Sequence, residues 1–188
     1  MSSSYYMNFP DIGSTVFVLI DMQEKFVPAI PSIATIIPRQ KLLLNAAREL
    51  GVRVAVTEQY PKGLGNTISE LKDLLAPSWP LIEKTSFSCF GAPEFRKVIA
   101  QFPVKSIVLM GVETHVCVLQ TALDALSRDC DVFIASDAVS SRNDIDRDAA
   151  FSLMKQNKIN VTTSEALIFM LLRDASHPSF RAISKMLR

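Results

Sequence analysis

A chain of 188 residues, 48% hydrophobic and 21% charged, carries enough apolar side chains for one sizeable core, which excludes wholesale disorder and makes a second domain unnecessary. Twenty basic against 19 acidic residues leave a formal charge of +1, so the balance supplies no basic field of the kind on which nucleic-acid binding rests. Cys89, Cys117 and Cys130 form an odd set without paired spacing, which argues against a disulfide framework and for a reducing compartment.

The chain opens on Met1–Pro10 (MSSSYYMNFP), without a basic region followed by an apolar run and without the arginines of a transit peptide. No apolar stretch approaches the roughly 18 residues of a membrane span. The expectation is a cytoplasmic protein without membrane contact, organellar import being left open.

Six short runs rich in Val and Ile follow in order: 16–20 (VFVLI), 52–57 (VRVAVT), 81–83 (LIE), 106–110 (SIVLM), 132–135 (VFIA) and 159–163 (INVTT). Runs apolar on both alternating faces read as strands covered by helices on both sides. Between them lie helical spacings. Residues 39–50 place Leu42, Leu43, Ala46, Ala47 and Leu50 on one side, with Gly51 as the stop. Pro93 opens 93–101, Thr114 is placed to cap 115–128, and Asp144 to cap 145–157. A further helix covers 164–173, and a tail over 178–188 spaces Phe180, Ile183 and Leu187 for docking on the body or on another subunit. Alternating strands and helices predict a single domain over 1–188 with its core at about 14–172. The fold class is α/β, a three-layer Rossmann-like sandwich whose sheet of about six mostly parallel strands is covered on both faces.

Ligands of such sheets bind outside the carboxyl ends of the strands. Asp21 directly follows the first run, Lys84 the third, and Cys117 comes shortly after the fourth. Three reactive side chains thus fall on one rim. With Thr114 as cap, Cys117 is the third helical residue, where the helix dipole lowers a thiol pKa. A polar stripe of Cys117, Gln120, Thr121 and Asp124 keeps the thiol away from the leucines. Gln23 and Tyr60 are candidates for lining the pocket, with Phe26 and Phe87 for its apolar wall. Cys89 and Cys130 read as packing residues. His115 and His177 lack a partner at ligand spacing, so neither a metal nor another cofactor is expected.

With these residues placed, the chain resembles the isochorismatase-like cysteine hydrolases, closest to the branch of isochorismatase domain-containing proteins. The resemblance runs from about residue 14 to about 172 and rests on LIDMQEKF (19–26), TEQYPKGLG (57–65), EKTSFSCF (83–90), GVETHVCVLQTALD (111–124) and SDAVSSR (136–142). It implies that Asp21, Lys84 and Cys117 match the family's catalytic triad. It also implies a cis peptide between Val112 and Glu113, with the N–H groups of Glu113 and Cys117 forming an oxyanion hole. The habit of the family implies a homo-oligomer, a dimer or tetramer. Nicotinamidases of the family hold a metal with an aspartate and two histidines near the second strand; Thr57, Glu58, Gln59 and Tyr60 stand here instead.

The expected activity is hydrolysis of an amide or related C–N bond in a small molecule, through a thioester on Cys117. Isochorismatase-type vinyl-ether hydrolysis and a non-catalytic binding role stay open. The missing basic stripe and metal site count against a ribonuclease.

Overall fold

The computed structural model describes residues 8–188. The opening segment read above for a leader lies, up to Met7, outside the described residues. Six strands, β1 (Thr15–Ile20), β2 (Arg53–Gln59), β3 (Leu81–Lys84), β4 (Ser106–Val112), β5 (Asp131–Ser140) and β6 (Asn160–Thr162), form one parallel sheet in the order β3-β2-β1-β4-β5-β6. The chain moves outward from β1 to β3, crosses back, and moves outward again from β4 to β6. The direction of winding therefore reverses on either side of β1, which puts the crevice of such a sheet beside Asp21.

Every residue of β1 is buried, and its two faces feed two cores. Phe17 and Leu19 pack with α1 (Ile33–Leu50), α7 (Ser164–Leu172) and Ile183 of α8 (Phe180–Met186). Val16, Val18 and Ile20 face Phe95 of α4 (Pro93–Ile99), Ala122 and Ala125 of α5 (Leu119–Leu126), and Ala150 and Met154 of α6 (Asp144–Gln156). Each such side chain taken out of water is worth roughly 1.5–3 kcal/mol, so the central strands and their two helical layers stabilise one another. Two single-turn helices, α2 (Pro61–Leu64) and α3 (Ser69–Lys72), fill the connection between β2 and β3.

Three helix starts differ from the sequence expectation. α1 starts at Ile33, six residues before the expected start, and contains Pro38; the proline removes one hydrogen bond near the helix start, where packing of Ile33 and Ile36 compensates. Thr114 does not cap a helix. Residues Thr114–Val118 form a π turn in which the Glu113 carbonyl accepts from Val116 N (3.1 Å) and Val118 N (3.2 Å), and the Thr114 hydroxyl is buried without a partner. Asp144 is the first residue of α6, not its cap, and pairs with Arg147 at 2.7 Å. The tail docks on the body, with Ile183 fully buried on the α1 side. Among the described residues no helix is long and apolar enough to cross a membrane.

Gly111 has φ +120°, and a Cβ there would meet the Ile20 carbonyl oxygen at 2.1 Å. Only glycine lets β4 lie this close to β1 at the level where both strands end.

Candidate active site

Asp21 follows β1 in the left-handed region (φ 52°), its amide donating to Thr57 O at 3.1 Å, and is fully buried. Its carboxylate is shared out. Oδ1 accepts from the Thr57 hydroxyl at 2.7 Å and Oδ2 from Lys84 Nζ at 2.7 Å. Lys84, the last residue of β3, sits two strands away and pairs in register with Gln59 of the intervening β2. Its ammonium reaches across β2, donating to Gln59 Oε1 (2.7 Å) and contacting the carbonyls of Phe87 (3.2 Å) and Ser86 (3.3 Å). Burial disfavours the charged ammonium, but the Asp21 carboxylate, helped by the neighbouring thiols, outweighs it and holds the Lys84 pKa above the usual lysine range.

Cys117 lies in the π turn beyond β4, is 5% exposed, and directs its thiol to the Asp21 carboxylate. Burial first, then the Asp21 charge, push this thiol well above its ordinary range, and Lys84 offsets only part of the rise. The expected lowering by the helix terminus is therefore overturned. A helix end is worth about 0.3–1 kcal/mol, whereas burial of an ionisable group shifts its pKa by up to roughly 3–5 units. Burial therefore favours the protonated thiol.

The Val112–Glu113 peptide is cis. The Glu113 side chain is committed elsewhere, accepting from Arg142 N (3.0 Å) and Arg142 Nε (2.9 Å). Gln23 is fully buried and has no polar group left for a ligand: its amide nitrogen donates to Gln59 O (3.0 Å) and Gly65 O (2.6 Å), and its oxygen accepts from Gln59 N (2.7 Å). It braces the end of β2 against the segment that follows. Phe26 packs part-buried on the α1 side of the core. Tyr60 is 55% exposed, with its ring against Gly63, and borders a cavity of about 360 Å³ that Lys84, Ser86 and Pro93 also line. Phe87 is 53% exposed and stands outside that lining.

The isochorismatase domain family matches residues 15–166. This chain belongs to the isochorismatase family. It is 46% identical over 177 residues to isochorismatase domain-containing protein 1 of Salmo salar, covering 94% of this chain and 62% of that protein, so it spans less than two thirds of that relative's length. Isochorismatase domain-containing protein 2 of Xenopus laevis is 42% identical over 93% of this chain and 83% of its own length. Among solved structures, a MAR1 ribonuclease from Caenorhabditis elegans superposes with a TM-score of 0.90 at 40% identity, covering 95% of this chain and 91% of that one.

In this isochorismatase-family chain the end of β2 carries no metal ligand set. Glu58 spends its carboxylate on Thr67 N (2.6 Å) and the Thr67 hydroxyl (2.7 Å), and among the described residues no group of three or more His, Cys, Asp or Glu could hold a metal ion. His115 Nδ1 lies 2.9 Å from Ser141 Oγ, a partner that serves the turn rather than the thiol. Sequence reasoning missed Thr57 and Gln59, which grip Asp21 and Lys84 from the strand between them. It also missed the Glu113–Arg142 pair; Cys89 packs in the core, as expected. That thiol is fully buried, stands 4.0 Å from Thr57 Oγ1, and is pushed up to about 11, chiefly by burial. The only available signal was that all of the missed residues fall within TEQY, GVETHVC and SDAVSSR.

Proposed function

We propose that this chain is a cysteine hydrolase acting on an amide or related C–N bond of a small molecule. The observation that carries the reading is the buried cluster in which the Cys117 thiol and the Lys84 ammonium share the Asp21 carboxylate. Asp21 takes the proton of Cys117 as the sulfur attacks the carbonyl carbon, and Lys84 balances the negative charge throughout. The backbone N–H groups of Glu113 and Cys117 stabilise the tetrahedral oxyanion. Protonated Asp21 then gives its proton to the leaving nitrogen as the C–N bond breaks. A water deprotonated by the same carboxylate attacks the thioester, releasing the acid and returning the proton to sulfur. Tyr60 and Phe87, both exposed, are the side chains the proposal assigns to the rest of the substrate, and no metal or other cofactor enters it.

The test is ammonia or amine release from a panel of small amides, wild type against Cys117→Ala. Turnover that disappears in the variant supports the reading. Full turnover retained by Cys117→Ala favours vinyl-ether hydrolysis, which needs no thiol. Silence of both proteins toward amides and vinyl ethers favours a binding role.

RNA cleavage is the second reading, because the 40% identical structure from Caenorhabditis elegans is named a ribonuclease. The near-even charge balance stands against it. Hydrolysis of RNA by the wild type and not by Cys117→Ala would reverse the order of the two. A homo-oligomer, dimer or tetramer, is part of the proposal. The 78% exposed Ile145 on α6 suits a subunit contact, and a monomeric mass in light scattering would remove it.

A further inference from the structure

The cavity of about 580 Å³ lies at the wrong end of the sheet for the chemistry above. It opens at the amino ends of β1 and β2, between the carboxyl ends of α1 and α4. Its volume is that of a small-molecule site. Val16, Val52 and Val54 supply an apolar lining, and Trp79 and Phe102 add aromatic rings.

Two guanidinium groups complete it. Arg48 lies over the Trp79 ring, Cζ 5.6 Å from the centroid, and Arg53 over the Phe102 ring at 4.3 Å. Each also donates one hydrogen bond to a backbone carbonyl, Arg48 to Leu74 and Arg53 to Gly13. Among the described residues neither forms an ion pair with a carboxylate. No aspartate or glutamate lines this cavity, whereas the four other cavities described are each lined by at least one. The last carbonyls of α1 do not consume the guanidinium donors, because Gly51 and Val52 N–H groups occupy those of Arg48 and Ala47. Each guanidinium carbon lies over an aromatic ring, and the one hydrogen bond of each leaves most of its five donors unused.

We propose that this cavity is a second ligand site, separate from the Cys117 cluster, for a small carboxylate with a compact apolar body. The two arginines, Arg48 exposed and Arg53 half-buried, offer an anion donors that no carboxylate of the chain engages, and a guanidinium fork matches a carboxylate. The valine and aromatic lining excludes an anion without an apolar part.

Trp79 is the single tryptophan of the chain, so its fluorescence reports on this cavity directly. The experiment titrates the full chain with cyclohexanecarboxylate, which does not absorb in the tryptophan band. Cyclohexylmethanol and inorganic phosphate are the controls. A saturable change with the carboxylate, absent or at least tenfold weaker with either control, is expected. Arg48→Gln and Arg53→Gln should each weaken binding by roughly tenfold to a hundredfold, the worth of a hydrogen bond to a charged group, with melting temperatures close to wild type. Cys117→Ala should bind unchanged, which makes the result independent of the proposed hydrolysis. Arg53→Lys supplies a second reading at one position, keeping charge without the fork, and should fall between Arg53→Gln and wild type. Equal binding of the alcohol would reduce the site to an apolar cleft, and equal binding of phosphate to a bare cationic patch; either overturns the proposal. So does a flat titration, or a signal that survives in both glutamine variants.

Discussion

Asp21 and Glu113 stand just beyond the ends of neighbouring strands, both buried and each matched by one cation, yet the two pairs are built differently. Around Asp21 both partners are sealed, with the side chains of Asp21 and Lys84 wholly inaccessible. Around Glu113 the carboxylate side chain is 7% exposed while Arg142 is 58% exposed, and a backbone N–H of Arg142 shares the load. A sealed pair cannot exchange a lost partner for water, whereas a half-open one can. The difference separates a pair sealed in a dry site, where the proposed proton transfer would run, from a pair that secures a turn.

The largest effect expected from breaking this contrast is at Lys84. Lys84→Met strands the Asp21 charge in the interior, and a loss of about 3–5 kcal/mol in chemical denaturation is expected, together with loss of activity. Alkaline pH should give the next largest effect. The folded pKa of Cys89 lies above its unfolded value, so the unfolded chain releases that proton first and stability falls as pH rises from 9 towards 11, by an amount on the order of a few kcal/mol. Cys117, shifted in the same direction, adds to the slope. The slope over this window should become shallower in Cys89→Ala, with the Cys117 contribution remaining, and an unchanged slope would mean that the Cys89 thiol does not titrate with unfolding.

Thr57→Val, similar in shape, removes the hydroxyl that holds Oδ1 and should cost roughly 1.5–3 kcal/mol of stability; Thr57→Ser should restore most of it. In the sharpened form of the test, turnover falls in Thr57→Val with little change in KM, because the hydroxyl touches the base and not the substrate. The smallest effect is expected at Arg142. Arg142→Gln should cost about 1 kcal/mol or less in thermal unfolding, since the exposed guanidinium is largely solvated and the backbone N–H remains in place. A penalty at Arg142 as large as that at Lys84 would erase the distinction between the two pairs.

The sheet was readable from the sequence because β1, β2, β4 and β5 are covered on both faces and announce it with unbroken apolar runs. The placing of Asp21, Lys84 and Cys117 on one rim followed from those runs and the direction of the strands. What the sequence hid depends on contacts between distant segments. Gln23 reads as a free polar side chain until the backbone of Gln59 and Gly65 folds around it. The state of Cys117 was misjudged because local helix position was weighed without the burial that only tertiary packing creates. The expected helix over 39–50 omits the first turns of α1, because the packing of Ile33 and Ile36 that supports them comes from distant segments. Lys84 could be placed at a strand end, but its reach beneath β2 to Asp21 depends on how far apart β3 and β1 lie.

Gly111 gives the site a fixed gauge. With Ile20's carbonyl occupying the space a Cβ would need, the distance between the strand that delivers Asp21 and the strand that delivers Cys117 is set by a single hydrogen atom and has no adjustment. Any retuning of what this protein accepts must therefore be made in the surrounding segments, such as 60–66 and 85–91, whose side chains can be exchanged without touching that spacing. Under the proposed hydrolysis, selectivity is the replaceable part of the molecule, and the interval between the Asp21 carboxylate and the Cys117 sulfur is its standard of length.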